Sequence, residues 1–142
     1  MRLSPAQLRT ALAGVAGTAL LAVTGCSPGA AMAAAPLTID VHMKYSKFVP
    51  ATLTVPAGRP VRFVLHNDDF IDHEFIVGDT QVQRAHETGT ETHHGDRPTE
   101  VDVAAGETVE TVVTFKRSTG LTYACHVPGH FAYGMVGALT FR

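Results

Sequence analysis

The sequence predicts an all-β fold, a Greek-key β-sandwich of seven or eight strands, and three observations lead to this prediction. Apolar and polar residues alternate with a period of two along several short segments, as expected of strands with one buried face. Turn-forming Pro, Gly and Asp residues separate these segments at short intervals. No segment has a convincing helical periodicity. Many short strands joined by frequent turns are typical of a sandwich.

Four strands are predicted in the first half of the domain. They span residues 37–45, 48–55, 61–65 and 73–77. In the first of them, every second residue from Leu37 to Met43 is apolar. The second strand ends at the turn Pro56-Ala57-Gly58. The fourth begins at His73, after the turn-like sequence Asn67-Asp68-Asp69.

The second half of the domain holds the remaining strands and one exceptional segment. The strands span residues 101–103, 109–115, 121–125 and 136–141. The strand at 109–115 is rich in β-branched residues, which favour a pleated sheet. Residues 79–99, here called the polar segment, carry His residues and are interrupted by Gly. This segment is long for a connection, so we expect a functional or mobile insertion with one helical turn.

The N-terminus has the features of a bacterial lipoprotein signal peptide, predicted at residues 1–25. Arg2 and Arg9 precede or flank an apolar stretch, Ala11 to Val23, that is too short for a spanning helix. The stretch ends in Val23-Thr24-Gly25-Cys26, which resembles a lipobox and makes Cys26 the predicted lipidation site. An ordinary secretory signal with an incidental Cys is the alternative. Residues 26–36 are small and turn-prone, which predicts a flexible tether before a domain at 37–142.

Composition limits the classes of function. Without the signal, about 117 of the 142 residues remain, enough for a single domain, and we expect a monomer. This mature part carries nine basic residues against thirteen acidic ones and has no basic stripe, so nucleic acid is not an expected partner. The sequence has no nucleophile–base pairing and no phosphate-binding loop, so we do not expect an enzyme. It does contain eight His, an excess for its length.

The two cysteines are predicted to have separate roles. Export places the mature chain in an oxidising compartment, where paired Cys would suggest a disulfide. If Cys26 carries lipid, however, Cys125 is a lone thiol. A bound metal would explain why such a thiol persists.

The C-terminal region contains a set of soft and borderline metal ligands. Cys125, His130 and Met135 follow the pattern Cys-x4-His-x4-Met between two predicted strands. A type 1 (blue) copper site needs a thiolate and two imidazoles in a trigonal plane, with a weak axial thioether. The second imidazole must come from elsewhere, and His73 is the best candidate because it opens a strand after a turn.

These motifs resemble those of the cupredoxins, the plastocyanin and azurin group of blue copper proteins, over roughly residues 37–142. The matching stretches are Phe48-x-Pro-x-Thr-Leu-Thr-Val-x-Ala-Gly, His73-Glu74-Phe75, Tyr123-x-Cys125 and the ligand loop closing on Gly-x-Leu-x-Phe. The loop spacing is similar to that of rusticyanin and auracyanin. The resemblance implies a β-sandwich with one copper at its end, held by His73, His130, Cys125 and axial Met135. Glu74 stands where plastocyanin and azurin have an Asn that links the two copper loops, which puts that link in doubt.

His126, directly after Cys125, invites a comparison with multicopper oxidases, where a Cys is flanked by His ligands of a trinuclear cluster. A single domain cannot supply the other His pairs of such a cluster. A dinuclear copper centre of the CuA type would need a second nearby Cys, which is absent. In a strand, the side chain after Cys125 points the opposite way, so we expect His126 to have a surface or packing role.

Three His of the polar segment suggest a second metal site. His86, His93 and His94 lie among Glu87, Glu91 and Asp96, and imidazoles with carboxylates suit Cu or Zn. A solvated polar loop is the alternative interpretation.

Two functions fit the sequence, and both place the chain outside the cytoplasm. The first is a one-electron carrier, anchored by its lipid to the cell membrane on the periplasmic or extracytoplasmic side and exchanging electrons with redox partner proteins of the envelope. The alternative is a copper sequestration or delivery protein for copper homeostasis or resistance, with the His of the polar segment as added capacity. An accessory of a copper oxidase or nitrite-reducing system is a weaker third hypothesis.

Overall fold

The computed structural model describes residues 35–89 and 94–142. Within them the chain forms nine strands and one helix. In chain order these are β1 Leu37–Met43, β2 Phe48–Val49, β3 Thr52–Val55, β4 Pro60–Asn67, β5 His73–Gly78, α1 Thr80–Thr88, β6 Glu100–Val103, β7 Thr108–Thr114, β8 Leu121–Ala124 and β9 Val136–Phe141.

The strands form two sheets whose inner faces supply the core. One sheet has the order β2-β1-β4-β7 and the other the order β3-β9-β8-β5-β6. β1 runs parallel to β4 and β3 runs parallel to β9, while the remaining pairs are antiparallel. The predicted all-β sandwich is therefore confirmed, although the described residues form nine strands rather than seven or eight.

The additional strand arises at Pro50, inside the single strand predicted at residues 48–55. β2, before Pro50, pairs with β1 of the first sheet, and β3, after it, pairs with β9 of the second. Proline has no N–H to donate to a ladder, so a strand cannot continue its pairing through this residue. The chain uses the interruption to cross from one sheet to the other.

The polar segment contains a helix that the sequence pattern underestimated. We predicted one helical turn, whereas α1 covers nine residues. The Asp79 side chain caps its start by accepting hydrogen bonds from the N–H groups of Gln81 (2.9 Å) and Val82 (3.0 Å). α1 packs on β5 and β8, and Gly78 permits this approach because a Cβ there would lie 2.4 Å from the Val82 side chain. The few apolar residues on its inner face explain why no helical periodicity was visible.

Aromatic rings fill the core beneath the end of the sandwich where β5 begins and β8 ends. The Phe75 ring lies 5.4 Å from both Phe63 and Tyr123 between ring centroids, and Phe48 lies 5.1 Å from Tyr123. The Tyr123 hydroxyl is satisfied by donating to the Pro50 carbonyl at 2.6 Å. Each large apolar side chain buried in this way contributes about 1.5–3 kcal/mol. The loops at this end therefore rest on a densely packed base.

The predictions for the N-terminus fall outside this structure. Residues 1–34 are not among those described, so the signal peptide at 1–25, lipidation of Cys26, the tether at 26–36 and the domain boundaries stay predictions. Within residues 35–89 and 94–142, no helix has the length and apolar character needed to cross a membrane.

Candidate metal centre

Two neighbouring strands bring His73 and Cys125 together. β5 begins at His73, and Cys125 directly follows β8, with which β5 pairs through Ile76 and Ala124. Both side chains are buried, His73 at 1% exposure and Cys125 at 0%. The loop after β8 then carries His130 back toward the same point.

The three predicted in-plane ligands converge. His130 Nδ1 lies 3.2 Å from His73 Nδ1 and 3.3 Å from Cys125 Sγ, and Cys125 Sγ lies 3.8 Å from His73 Nδ1. Nitrogen and sulfur ligands at about 2.0–2.3 Å from a first-row metal, arranged trigonally, would be roughly 3.5–3.8 Å apart. The observed triangle is close to that size. Two imidazoles and a thiol also form a donor set suited to copper, so these residues fit the expected ion.

Asp69 orients the His73 ring from behind. His73 Nε2 donates to Asp69 Oδ2 at 3.0 Å, which leaves Nδ1 with the lone pair that faces Cys125 and His130. The N–H groups of Tyr45 and Ser46 each donate to the same carboxylate at 2.8 Å. Burial is the largest influence on the Asp69 pKa and raises it, but the hydrogen bonds from Ser46, Tyr45 and His73 outweigh it, so the pKa is lowered.

Asn67, at the end of β4, holds the loop that carries Asp69. Its buried side-chain amide donates to the carbonyls of Ile71 (2.8 Å), Val103 (2.9 Å) and Ala104 (3.1 Å). Its Oδ1 accepts from the Asp69 N–H at 3.0 Å. One side chain thus joins the loop before β5 to the turn after β6, and it fixes the position from which Asp69 reaches His73.

The ligand loop closes on itself through its backbone. The Met135 N–H donates to the His130 carbonyl at 2.9 Å, and the Met135 carbonyl accepts from the Cys125 N–H at 3.1 Å. Met135 is fully buried just before β9. Gly129 and Gly134 make the sharp bends that this closure needs, with φ of 90° and 80°. The predicted axial residue is therefore tied to both other loop ligands.

The protonation of the metal-free centre is set mainly by burial. Burial is the largest influence on the Cys125 thiol and raises its pKa to about 11, although N–H groups of Glu74 and Val127 act in the opposite direction. Burial, followed by the charge of His73, lowers the pKa of His130. At neutral pH the site holds a neutral thiol and a neutral His130 imidazole. A bound metal would have to displace the thiol proton.

Glu74 makes the hydrogen bond between the two ligand loops, which the presence of Glu in place of Asn had put in doubt. Its carboxylate Oε2 accepts from the His126 N–H at 2.9 Å, and its own N–H donates to Cys125 Sγ at 3.4 Å. A carboxylate therefore makes the loop-to-loop hydrogen bond here, with a negative charge close to the sulfur.

His126 points away from the centre, as the strand alternation predicts, but it is not on the surface. Its side chain is only 3% exposed and lies between β8 and α1. Nε2 lies 2.7 Å from Gln83 Oε1 and Nδ1 lies 3.1 Å from Glu87 Oε2, while the ring stacks on Phe131. Burial, the largest influence, lowers its pKa.

The two described His of the polar segment, His86 and His94, do not join this centre. His86, in α1, and His94 lie on the outer side of β5 and β6 and line a separate cavity. His93 lies outside the described residues. Sequence reasoning missed the parts played by Asp69, Asn67 and Gln83. The available signal was the acidic turn before His73, which places a carboxylate four residues from a predicted ligand.

Comparisons with known proteins agree with this architecture. The sequence model of the cupredoxin-like domain matches residues 15–94. A protein of Rubrivivax gelatinosus named copper-resistant cuproprotein CopI is 42% identical over 120 residues, covering 81% of this chain and 72% of the relative. The CopI of Pseudomonas aeruginosa is 32% identical over 137 residues, covering 74% and 76%.

Solved structures give the same fold. Reduced auracyanin from the photosynthetic bacterium Roseiflexus castenholzii superposes with a TM-score of 0.63 at 19% identity, covering 76% of this chain and 98% of that one. At such an identity the likeness concerns the fold alone. Together with the family match and the two relatives, it supports one conclusion: the chain belongs to the cupredoxin-like family.

Proposed function

We propose that this chain is a copper-binding protein of copper resistance, with one type 1 copper ion held by His73, Cys125 and His130 and, axially, by Met135. The convergence of two imidazole nitrogens and one sulfur within 3.2–3.8 Å of one another carries the proposal. When bound there, copper would supply one-electron redox chemistry between Cu(I) and Cu(II).

The residues of the chain support such a site in three ways. Asp69 holds the His73 ring in the tautomer that presents Nδ1. The Glu74 N–H and the closed ligand loop position the Cys125 sulfur. The packed core beneath buries Cys125 and Met135 and would limit their movement.

Copper resistance is preferred to electron transfer because of the relatives. Two proteins at 42% and 32% identity are named copper-resistant cuproproteins, and each is matched over more than two thirds of its length. The sequence alone favoured the one-electron carrier, with copper handling as the alternative. The relatives favour the alternative. In this proposal the chain binds and retains copper and is not an enzyme.

Growth of a strain that lacks the chain tests this function. Re-expressed wild-type chain should restore growth at raised copper and show intense visible absorption from the thiolate–copper bond. Cys125→Ser should lose both. His42→Ala, which changes an exposed His outside the proposed ligand set, should keep both. If Cys125→Ser restored growth as well as the wild type, the proposed site would not carry the function. If the chain were an electron carrier, its loss would instead slow electron transfer in the envelope in medium without excess copper.

Placement in the cell is a further part of the proposal. The lipobox-like sequence ending at Cys26 supports export and a lipid anchor on the extracytoplasmic side of the membrane. The proposal takes the anchored domain to be a monomer. Mass spectrometry of the mature N-terminus should find acylated Cys26, and Cys26→Ser should release the domain from the membrane fraction. A mature chain that starts at another residue would contradict the anchor.

A further inference from the structure

A cavity lies on the far side of β5 and β8 from the metal centre described above. Side chains alternate along a strand, so Glu74 and His126 face away from the centre to which His73 and Cys125 belong. The space between this face and α1 is a cavity of about 580 Å³. Three imidazoles and two carboxylates line it, those of His86, His94, His126, Glu74 and Glu100.

Strand register explains why carboxylates gather at this cavity. β5 and β6 are antiparallel, with Glu74 opposite Asp102 and Ile76 opposite Glu100. Opposed residues share a face of the sheet, so three carboxylates lie on one side, where like charges destabilise each other. Ligand atoms of Glu74, His94 and Asp102 lie within 4.8 Å of one another. Of the three carboxylates, that of Glu100 already pairs with the Arg97 guanidinium, which also lines the cavity, and that of Asp102 pairs with the His94 ring. A bound cation would offset the charge of Glu74 as well.

Three imidazoles gather over the same face. The His86 ring lies 5.1 Å from His94 and 5.6 Å from His126, measured between ring centroids. Protonation of all three would add repulsion between neighbouring cations. Neutral imidazoles, in contrast, offer lone pairs to a metal ion.

His86 presents a buried lone pair that no donor meets among the described residues. Its Nδ1 lies 2.9 Å from the Val82 carbonyl, which can only accept, so Nδ1 carries the proton. Nε2 is then an acceptor, in a side chain that is 10% exposed, and has no hydrogen-bond partner among the described residues. Glu100 Oε2 lies 3.4 Å from Nε2 and is another acceptor, already paired with the Arg97 guanidinium. His86 Nε2 is thus a buried polar atom without a hydrogen-bond donor among the described residues.

His94 is held in the way that metal-binding imidazoles usually are. Its Nδ1 donates to Asp102 Oδ1 at 2.9 Å, and its side chain is 2% exposed. The tautomer leaves the lone pair on Nε2. A carboxylate behind one ring nitrogen orients the ring and raises the basicity of the other nitrogen. Asp69 does the same for His73.

We propose that this cavity is a second metal site, for a divalent cation of the Cu²⁺ or Zn²⁺ class, with His86, His94 and Glu74 as ligands. Imidazole with carboxylate is a donor set for both ions. His126, whose ring nitrogens face Glu87 and Gln83, forms a wall of the site. The set adds Glu74 to two of the His residues expected from sequence; the third, His93, lies outside the described residues. It goes beyond the proposed function because it requires no copper in the first centre.

Counting bound ions tests this site. The full chain, first loaded with one equivalent of copper, is titrated with Zn²⁺, separated from free metal, and analysed for both elements. The wild type should retain one Zn²⁺ per chain. The double variant His86→Ala/His94→Ala should retain none while its visible band stays. His42→Ala/His66→Ala is the matched control, because these two rings also pair with carboxylates, Asp68 and Asp40, but lie on the other sheet. It should retain Zn²⁺ as the wild type does.

Each other outcome is decisive as well. Zn²⁺ retained equally by the His86/His94 variant, or no Zn²⁺ on the wild type, would overturn the site. If the variant loses its visible band too, the electron paramagnetic resonance spectrum of the wild type with a second Cu²⁺ decides. A second Cu²⁺ signal, distinct from that of the first centre and coupled to two imidazole nitrogens, supports the site, and its absence overturns it. A chain without a visible band that still binds Zn²⁺ through His86 and His94 would refute only the first centre.

Discussion

Replacement of Asp69 by Asn changes one charge behind His73 and leaves all proposed copper ligands in place. The carboxylate accepts three hydrogen bonds, from the N–H groups of Tyr45 and Ser46 and from His73 Nε2. Oδ1 faces Tyr45, and Oδ2 faces Ser46 and His73. In either orientation of the Asn amide, its NH₂ group must therefore face at least one N–H donor.

The expected loss of copper affinity follows from these contacts. A hydrogen bond to a charged group contributes about 1.5–3 kcal/mol net, and the Asn amide weakens or removes one or more of the three. Removing a partner that orients a metal-bound His lowers metal affinity roughly 10- to 100-fold, which is about 1.4–2.7 kcal/mol. We expect a loss of copper affinity in this range.

Competition with a chelator of known affinity measures the loss, at one pH and one salt concentration. The matched control is Asp68→Asn, which removes a neighbouring carboxylate that pairs with exposed His42 at 2.8 Å. Its affinity should equal that of the wild type. If Asp69→Asn also bound copper as tightly as the wild type, Asp69 would not orient His73, and the tautomer argument would be wrong.

Three further predictions follow from single contacts. Burial is the main influence on the pKa of the Cys125 thiol and raises it to about 11. Copper uptake must therefore release the thiol proton, and the apparent affinity for copper should rise about tenfold per pH unit. Chelator competition between pH 7 and 9 measures this, and a flat profile contradicts it. Asn67→Ala removes one hydrogen-bond donor from three carbonyls, of which that of Ala104 keeps the Glu107 N–H, and should reduce the free energy of unfolding in urea by about 2–4 kcal/mol; an unchanged midpoint and slope would refute this. Gly137→Ala places a Cβ 2.1 Å from the Tyr123 ring and should cost about 1–3 kcal/mol in thermal unfolding; a melting temperature equal to that of the wild type would show that the ring yields freely.

Three of the proposed ligands of the first centre could be grouped from sequence because they lie close together along the chain. Cys125, His130 and Met135 lie within eleven residues, and a loop that short brings them close whatever the rest of the chain does. His73 required an additional inference, since only the pairing of β5 with β8 places it beside Cys125.

The outer contacts were not predictable in the same way. Asp69 reaches His73 across a loop whose shape depends on Asn67 and on two distant carbonyl-bearing turns. Glu74 was recognised as unusual, but its hydrogen bond to the His126 N–H depends on the register between strands and joins residues 52 positions apart. Sequence spacing carries no information on such a register.

The polar segment shows the same limit of prediction from sequence. Its His residues were noticed by composition, but their convergence with Glu74 and Glu100 depends on α1 folding over β5 and on β6 pairing beside it. The helix itself was underestimated because its inner face is occupied by polar groups such as Gln83, which donates to the Ile76 carbonyl at 3.1 Å. Apolar periodicity cannot detect a helix that packs through hydrogen bonds.

The sequence by itself determined the sandwich and grouped three of the four proposed ligands of the first centre, because period-two alternation and the Cys-x4-His-x4-Met spacing are short-range properties of the chain. The tertiary structure alone decided which tautomer His73 adopts, that the chain changes sheets at Pro50, and that His86 and His94 face a cavity with Glu74. These features depend on strand register and on the packing of α1, both of which join residues far apart in sequence.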